Sequence, residues 1–145
     1  MSKFYAFCAV SLLAFSALYT NHAHSTETSN DAKIKIVVQV SDEDPRKWNQ
    51  ALGNIKNIQK DLGAERVEVE LVAFGPGVAM LKADATTAAR VSEAKADGVM
   101  LNACQNTMNA LKLKPEDMNP VVTYVPSEAG EIVKKQHAGY AYLRP

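Results

Sequence analysis

The sequence has 145 residues, of which 47% are hydrophobic and 22% are charged. These proportions are ordinary for one folded domain, and they exclude a disordered or fibrous chain. The 16 basic and 16 acidic residues balance, so the composition indicates neither a nucleic-acid partner nor binding to an acidic membrane surface.

Residues 1–25 have the pattern of a secretory signal peptide. Lys3 precedes an apolar stretch over residues 4–19, which small and polar residues follow. We expect cleavage after Ala23 or Ser25 and a periplasmic or secreted mature protein; an uncleaved N-terminal anchor is the alternative. The apolar stretch is shorter than the about 20 residues of a membrane span, and no second one follows, so we expect no membrane association after cleavage.

Removal of this segment limits the chemistry that the mature chain can perform. Lys3, Cys8, His22 and His24 leave with it, so 15 basic residues remain against 16 acidic ones, with one cysteine and one histidine, Cys104 and His137. A lone cysteine cannot form an internal disulfide. One cysteine and one histidine far apart cannot build a closed metal site, so the sequence predicts no metal and indicates no cofactor.

The first half of the folded region is predicted to be strand, helix and strand. Residues 26–32 are polar, and we expect a flexible leader there. Residues 33–40 become continuously apolar, as in a strand buried on both faces. Asp44 and Pro45 then begin a helix that extends to Gly63. In the strand over residues 67–74 glutamates alternate with valines, so we expect one face of its first half to be solvated.

The second half continues this alternation. Elements are predicted over residues 86–95 (helix), 99–103 (strand), 105–111 (helix), 121–125 (strand), 127–137 (helix) and 140–143 (strand). Right-handed crossovers make this a single parallel sheet of about five strands with helices on both faces. Ligands of such sheets bind beyond the carboxyl ends of the strands. Gly75-Pro76-Gly77, Cys104 and Pro126-Ser127 are predicted to lie at that edge.

Gly75-Pro76-Gly77 follows the second strand and is the first candidate binding segment. Glycines at this position let the backbone approach a ligand, and free N–H groups there can bind an anion. The segment has neither the longer dinucleotide spacing nor a Walker lysine. A tight turn between strand and helix therefore remains the alternative to a phosphate-binding loop.

Cys104 is the candidate catalytic residue because a strand ends and a helix begins there. Partial positive charge at a helix start favours the thiolate, the reactive form of cysteine. The neighbouring Asn102, Gln105, Asn106 and Thr107 can exchange hydrogen bonds with a ligand, but none is a base. His137 is predicted at the opposite end of the sheet, which argues against a Cys–His hydrolase. The alternative is a buried, structural cysteine.

Residues 98–104 (GVMLNAC) and the short helix after them resemble the strand that carries the reactive cysteine in the DsrE/DsrF-like family, which includes the TusD sulfur-relay subunits. The resemblance covers most of residues 33–145, including the turn FGPG at 74–77 and the ending QHAGYAY at 136–142. It implies that residues 33–145 are a DsrE-like domain with a flavodoxin-like fold.

The resemblance also implies assembly into trimers or hexamers, and a role for Cys104 in carrying sulfur as a persulfide between a donor and an acceptor protein. The relay subunits are cytoplasmic, whereas this sequence carries an export signal, and its C-terminal third differs from theirs. Relay to a tRNA-modifying system is therefore not expected, whereas thiol chemistry on an exported sulfur compound stays open. The alternative is a non-catalytic, homo-oligomeric module that binds a small ligand near Gly75-Pro76-Gly77, so enzymatic activity stays open.

Overall fold

The computed structural model describes residues 32–145, which contain a five-stranded sheet in the order β4-β3-β2-β1-β5, parallel throughout. The predicted signal peptide and residues 26–31 of the predicted leader lie outside the described residues. The predicted single parallel sheet is confirmed. Its elements are β1 (Ile34–Val40), α1 (Pro45–Leu62), β2 (Val67–Ala73), α2 (Ala88–Ala96), β3 (Met100–Cys104), α3 (Gln105–Leu111), β4 (Thr123–Val125), α4 (Glu128–His137) and β5 (Ala141–Leu143), with 3-10 helices at Ala64–Arg66, Gly75–Leu81 and Pro115–Asp117.

The direction of each connection decides which face of the sheet a helix covers. From β1 to β4 every crossover moves to the next strand in one direction, so right-handed connections place α1, α2 and α3 on one face. The last connection runs back across the sheet from β4 to β5, beside β1, and this reversal places α4 on the other face. The predicted arrangement with helices on both faces is confirmed.

The larger core lies on the face that α1, α2 and the 3-10 segment Gly75–Leu81 cover. Alternate residues of the strands point to it, and the inner side of α1 supplies Trp48, Leu52 and Ile55. Local signals set the ends of α1 as predicted, because Asp44 accepts a hydrogen bond from the Arg46 amide and Gly63 follows the last turn. No helix within residues 32–145 is both long and apolar enough to cross a membrane.

The second face has a smaller core and more polar groups. Val37, Val72 and Val125 pack with Ile132 of α4 and with Tyr140. The predicted solvated face of β2 is wrong for Glu70, because α4 covers it and leaves only 1% of this residue exposed. Burial of a carboxylate requires partners. Lys135 and Asn102 supply them from α4 and from β3.

Candidate functional site

Cys104 is the last residue of β3 and the N-cap of α3, as the sequence predicts. Its Sγ accepts a hydrogen bond from the Thr107 amide at 3.4 Å, so the sulfur takes the place of the oxygen that usually caps a helix. The side chain is fully buried. It is the one cysteine among residues 32–145.

Glu128, at the start of α4, contacts the Cys104 thiol. The Sγ atom donates a hydrogen bond to Glu128 Oε2 at 3.0 Å. The topology causes this contact: Cys104 pairs with Val125 at the ends of β3 and β4, and the chain then turns through Pro126 into α4. Ser127 caps α4 by accepting from the Gly130 amide, which orients the first turn.

No base was predicted beside Cys104, and the structure corrects this. Glu128 is a carboxylate within hydrogen-bond distance of the thiol, so it can take the thiol proton when the sulfur reacts. The sequence indicated the position of Glu128 only indirectly. Residues that follow β3 and β4 share one edge of the sheet, which brings the segment after Val125 to Cys104 although Glu128 is 24 positions later in the sequence.

His137 lies at the other end of α4 and is exposed, as expected from the sequence. The ten-residue helix separates it from Glu128 by about 13 Å at the usual rise per residue. It therefore takes no part in the contact with Cys104 within one chain.

The glycine turn uses its amides within the chain. The Gly75 amide donates to Thr107 Oγ1 at 3.0 Å, and the Gly77 amide donates to the Ser41 carbonyl oxygen at 3.1 Å. A Cβ atom on Gly77 would lie 2.6 Å from the Val40 carbonyl oxygen, so this glycine permits close packing of two backbone segments. These contacts favour the tight turn over the phosphate-binding loop.

A cavity of about 440 Å³ lies between the 3-10 segment Gly75–Leu81 and α3, the helix that Cys104 caps. Of the predicted binding residues, Gly75, Pro76 and Thr107 line it. The other four do not: Gly77 is buried against β1, Asn102 is buried under α4, Gln105 bonds to Asn109, and Asn106 is exposed.

A buried polar cluster lies under α4, on the same face of the sheet as Cys104. Asn102 Nδ2 donates to Glu70 Oε1 at 2.8 Å, and Lys135 Nζ lies 2.5 Å from Glu70 Oε2. Burial opposes the charge on Lys135, but hydrogen bonding and attraction to Glu70 outweigh it and raise the pKa of the ammonium. Burial and a hydrogen bond to Glu68 raise the pKa of Tyr140 beside it.

Helix α4 is thus attached to the sheet by one aliphatic side chain and two polar contacts. Ile132 packs on Val37 and Val72 at its middle, Glu128 meets Cys104 at its start, and Lys135 meets Glu70 near its end. Because one of these contacts is the thiol itself, a change at Cys104 acts directly on the first turn of α4.

The fold and the site together define a small α/β domain with a single thiol at the carboxyl edge of a parallel sheet. The chain belongs to the DsrE/DsrF-like family, whose model matches residues 16–145. Comparison with curated proteins finds no significant match.

Solved structures share the fold of this chain. The protein MTH1491 from Methanobacterium thermoautotrophicum, described as of unknown function, is 33% identical, with a TM-score of 0.75 over 78% of this chain and 100% of that chain. BT1422 from Bacteroides thetaiotaomicron has a TM-score of 0.64 at 15% identity over 77% of this chain and 95% of its own. The ychN protein from E. coli has a TM-score of 0.62 at 12% identity, over 79% of this chain and 99% of that chain. The last two comparisons show the fold alone.

Proposed function

We propose that this protein handles sulfur through Cys104, which accepts a sulfur atom from a donor, carries it as a persulfide and passes it to an acceptor. The contact between Cys104 Sγ and Glu128 Oε2 is the observation that carries this proposal, because it couples the one thiol of residues 32–145 to a proton acceptor. Membership of the DsrE/DsrF-like family supports it. Resemblance of the Cys104 strand to that of sulfur-relay subunits supports it further.

The loading step transfers one sulfur atom without net oxidation or reduction. The donor is a persulfide, R–S–SH. Cys104 Sγ bonds to its terminal sulfur, the donor's S–S bond breaks, and the donor leaves as the thiol R–SH. The Cys104 proton passes to Glu128 and from there to the leaving sulfur, so Glu128 is restored at the end of the step. With no second cysteine in residues 32–145, the sulfur leaves again by exchange with another molecule.

Access to the thiol requires Glu128 to move. Cys104 has no exposed surface, whereas Glu128 is half-buried and borders the solvent. Rotation of the glutamate side chain, or a small displacement of the first turn of α4, uncovers Sγ. The added sulfur then occupies space that the carboxylate fills in the unloaded protein.

Mass spectrometry of the intact protein tests the proposal. Incubation with an inorganic polysulfide adds one sulfur, about 32 Da, to the wild-type chain. Cys104→Ser abolishes the adduct and retains the fold, since serine nearly matches cysteine in size and can keep both hydrogen bonds. A wild-type protein that takes up no sulfur would refute the proposal.

The second candidate is a binding module in which Cys104 is structural. Complete burial of the side chain and its role as the cap of α3 favour this function. Thiol reagents separate the two candidates. Reaction of Cys104 in the native protein supports sulfur handling, and a thiol that reacts only after denaturation supports the binding module.

We also propose that the protein is exported and acts as a homo-oligomer, with the signal-like pattern of residues 1–25 supporting export. Two features support assembly: both edge strands, β4 and β5, have only three residues, and they present the exposed Tyr124 and Tyr142. Export predicts a mature N-terminus at His24 or Thr26, which the mass of the exported protein determines. A full-length chain retained in the membrane fraction would contradict it.

A further inference from the structure

We propose that the cavity between the 3-10 segment Gly75–Leu81 and α3 is a binding site for a small apolar molecule that carries a cationic amine. Its volume of about 440 Å³ is typical of small-molecule sites. It lies beyond the carboxyl ends of β2 and β3, where parallel sheets bind ligands. The inference goes beyond sulfur handling and does not depend on it.

The walls of the cavity are mainly apolar and come from two sides. One side is the 3-10 segment, and the other is α3 with Leu113, two residues beyond its end. Leu111 of α3 is 53% exposed, which is a large exposed area for a leucine that a bound apolar group would cover. The apolar lining consists of Pro76, Val78, Ala79, Ala110, Leu111 and Leu113.

Two side chains of opposite charge, Glu43 and Lys82, also line the cavity. The Lys82 ammonium lies 3.0 Å from Asp84 Oδ1, so its charge is already balanced. Glu43 has no ion-pair partner in the part of the chain that the structure describes. The unbalanced charge at the cavity is therefore negative, and the complementary ligand is an organic cation. Thr107 adds a hydroxyl group that can bind a polar atom of the same ligand.

Titration calorimetry with two matched probes tests the site. 1-Naphthylmethylamine and 1-naphthylacetate carry the same aromatic ring and opposite charges. We expect saturable one-to-one binding of the amine, about three- to fivefold tighter than that of the carboxylate at low salt, which is the effect of one charge pair near solvent. Glu43→Gln removes this preference and leaves the binding of the ring in place.

Filling the cavity provides the second test. Ala110→Trp places an indole ring in the cavity and abolishes the binding of both probes, whereas Ala89→Trp, a substitution in α2 outside the cavity, leaves both affinities unchanged. If Ala110→Trp changes the circular dichroism spectrum, Leu111→Ser tests the same wall and weakens binding of both probes.

Three results would overturn the inference: no binding of either probe, an equal or higher affinity for the carboxylate, or wild-type affinity in the cavity variants. Cys104→Ser separates the inference from the proposed function, because this variant binds the amine with wild-type affinity and takes up no sulfur. If Cys104→Ser no longer binds the amine, the site depends on the thiol and the inference is contradicted.

Discussion

Lys135 Nζ lies 2.5 Å from Glu70 Oε2 and thereby joins α4 to the middle of the sheet. Glu70 is almost completely buried, and its other oxygen accepts a hydrogen bond from Asn102. Since α4 contributes one aliphatic residue, Ile132, to the core on this face, the ion pair is a principal attachment of the helix.

Lys135→Met is expected to lower the free energy of unfolding by about 3 kcal/mol, because removal of one partner leaves a buried carboxylate without its counter-charge. Urea denaturation measures the change. Lys134→Met is the matched control: Lys134 is exposed and lies 3.8 Å from Glu131, so its loss changes stability by less than about 0.5 kcal/mol. Equal effects of the two substitutions would show that the buried pair does not hold α4.

Alkaline pH should loosen the same region. The pKa of Lys135 is raised above its ordinary 10.5, so the folded protein holds this proton to a higher pH than the unfolded chain does. The stabilisation is complete below the unfolded pKa and is lost as the pH rises through the folded pKa. Tyr140, whose pKa is also raised, acts in the same direction. The free energy of unfolding should therefore fall as the pH rises above about 10, less steeply in Lys135→Met.

Local signals in the sequence predicted most of the fold, and contacts between distant segments were missed. The N-cap and proline at the start of α1 act within a few residues of the helix that they begin, so its bounds could be predicted. A strand was predicted over 121–125, but β4 begins only at Thr123. The amides of Val121 and Val122 donate to Asn119 before the strand pairs with β3. Glu70 was expected to be exposed to solvent, because no local signal shows that α4 covers it. Its partner on that helix, Lys135, lies 65 positions later in the sequence.

Gly77 and Gly53 provide a matched pair of glycines with opposite expected effects. A Cβ at Gly77 would lie 2.6 Å from the Val40 carbonyl oxygen and 2.8 Å from Ser41 Cα, so Gly77→Ala is expected to cost about 1–3 kcal/mol. Gly53 lies inside α1, and a Cβ there would meet no atom within 4 Å apart from its chain neighbours and the backbone of its own helix, so Gly53→Ala is expected to stabilise by about 0.5–1 kcal/mol. Thermal unfolding measures both, and a neutral Gly77→Ala would contradict the close packing.

The proposed homo-oligomer predicts a mass several times that of one chain in multi-angle light scattering at micromolar concentration. Tyr142 is 43% exposed on the edge strand β5, where a neighbouring chain could pair. Tyr142→Ser should shift the population to smaller species. Leu111→Ser, which removes an exposed apolar side chain that is not on an edge strand, should leave the mass unchanged. A wild-type protein found only as monomer would contradict the proposal.

Glu128→Gln tests the role assigned to the carboxylate beside the thiol. Glutamine has nearly the same shape and can still bond to Sγ, but it cannot take the proton that Cys104 releases when sulfur is added. The rate of sulfur uptake from an inorganic polysulfide is therefore expected to fall about a hundredfold, the lower range for loss of a general base. Time-resolved mass spectrometry of the single adduct on Cys104 measures this rate.

Glu131→Gln is the control for that experiment. Glu131 is also in the first turn of α4 and is half-buried, but its carboxylate lies 3.8 Å from Lys134 and Lys135 and does not contact the thiol. Its uptake rate should equal that of the wild type. As a further control, we expect the free energy of unfolding of Glu128→Gln to lie within about 0.5 kcal/mol of the wild-type value. A slower rate then reflects the lost proton acceptor and not a displaced helix. Equal rates in the two variants would show that Glu128 covers the sulfur without accepting its proton.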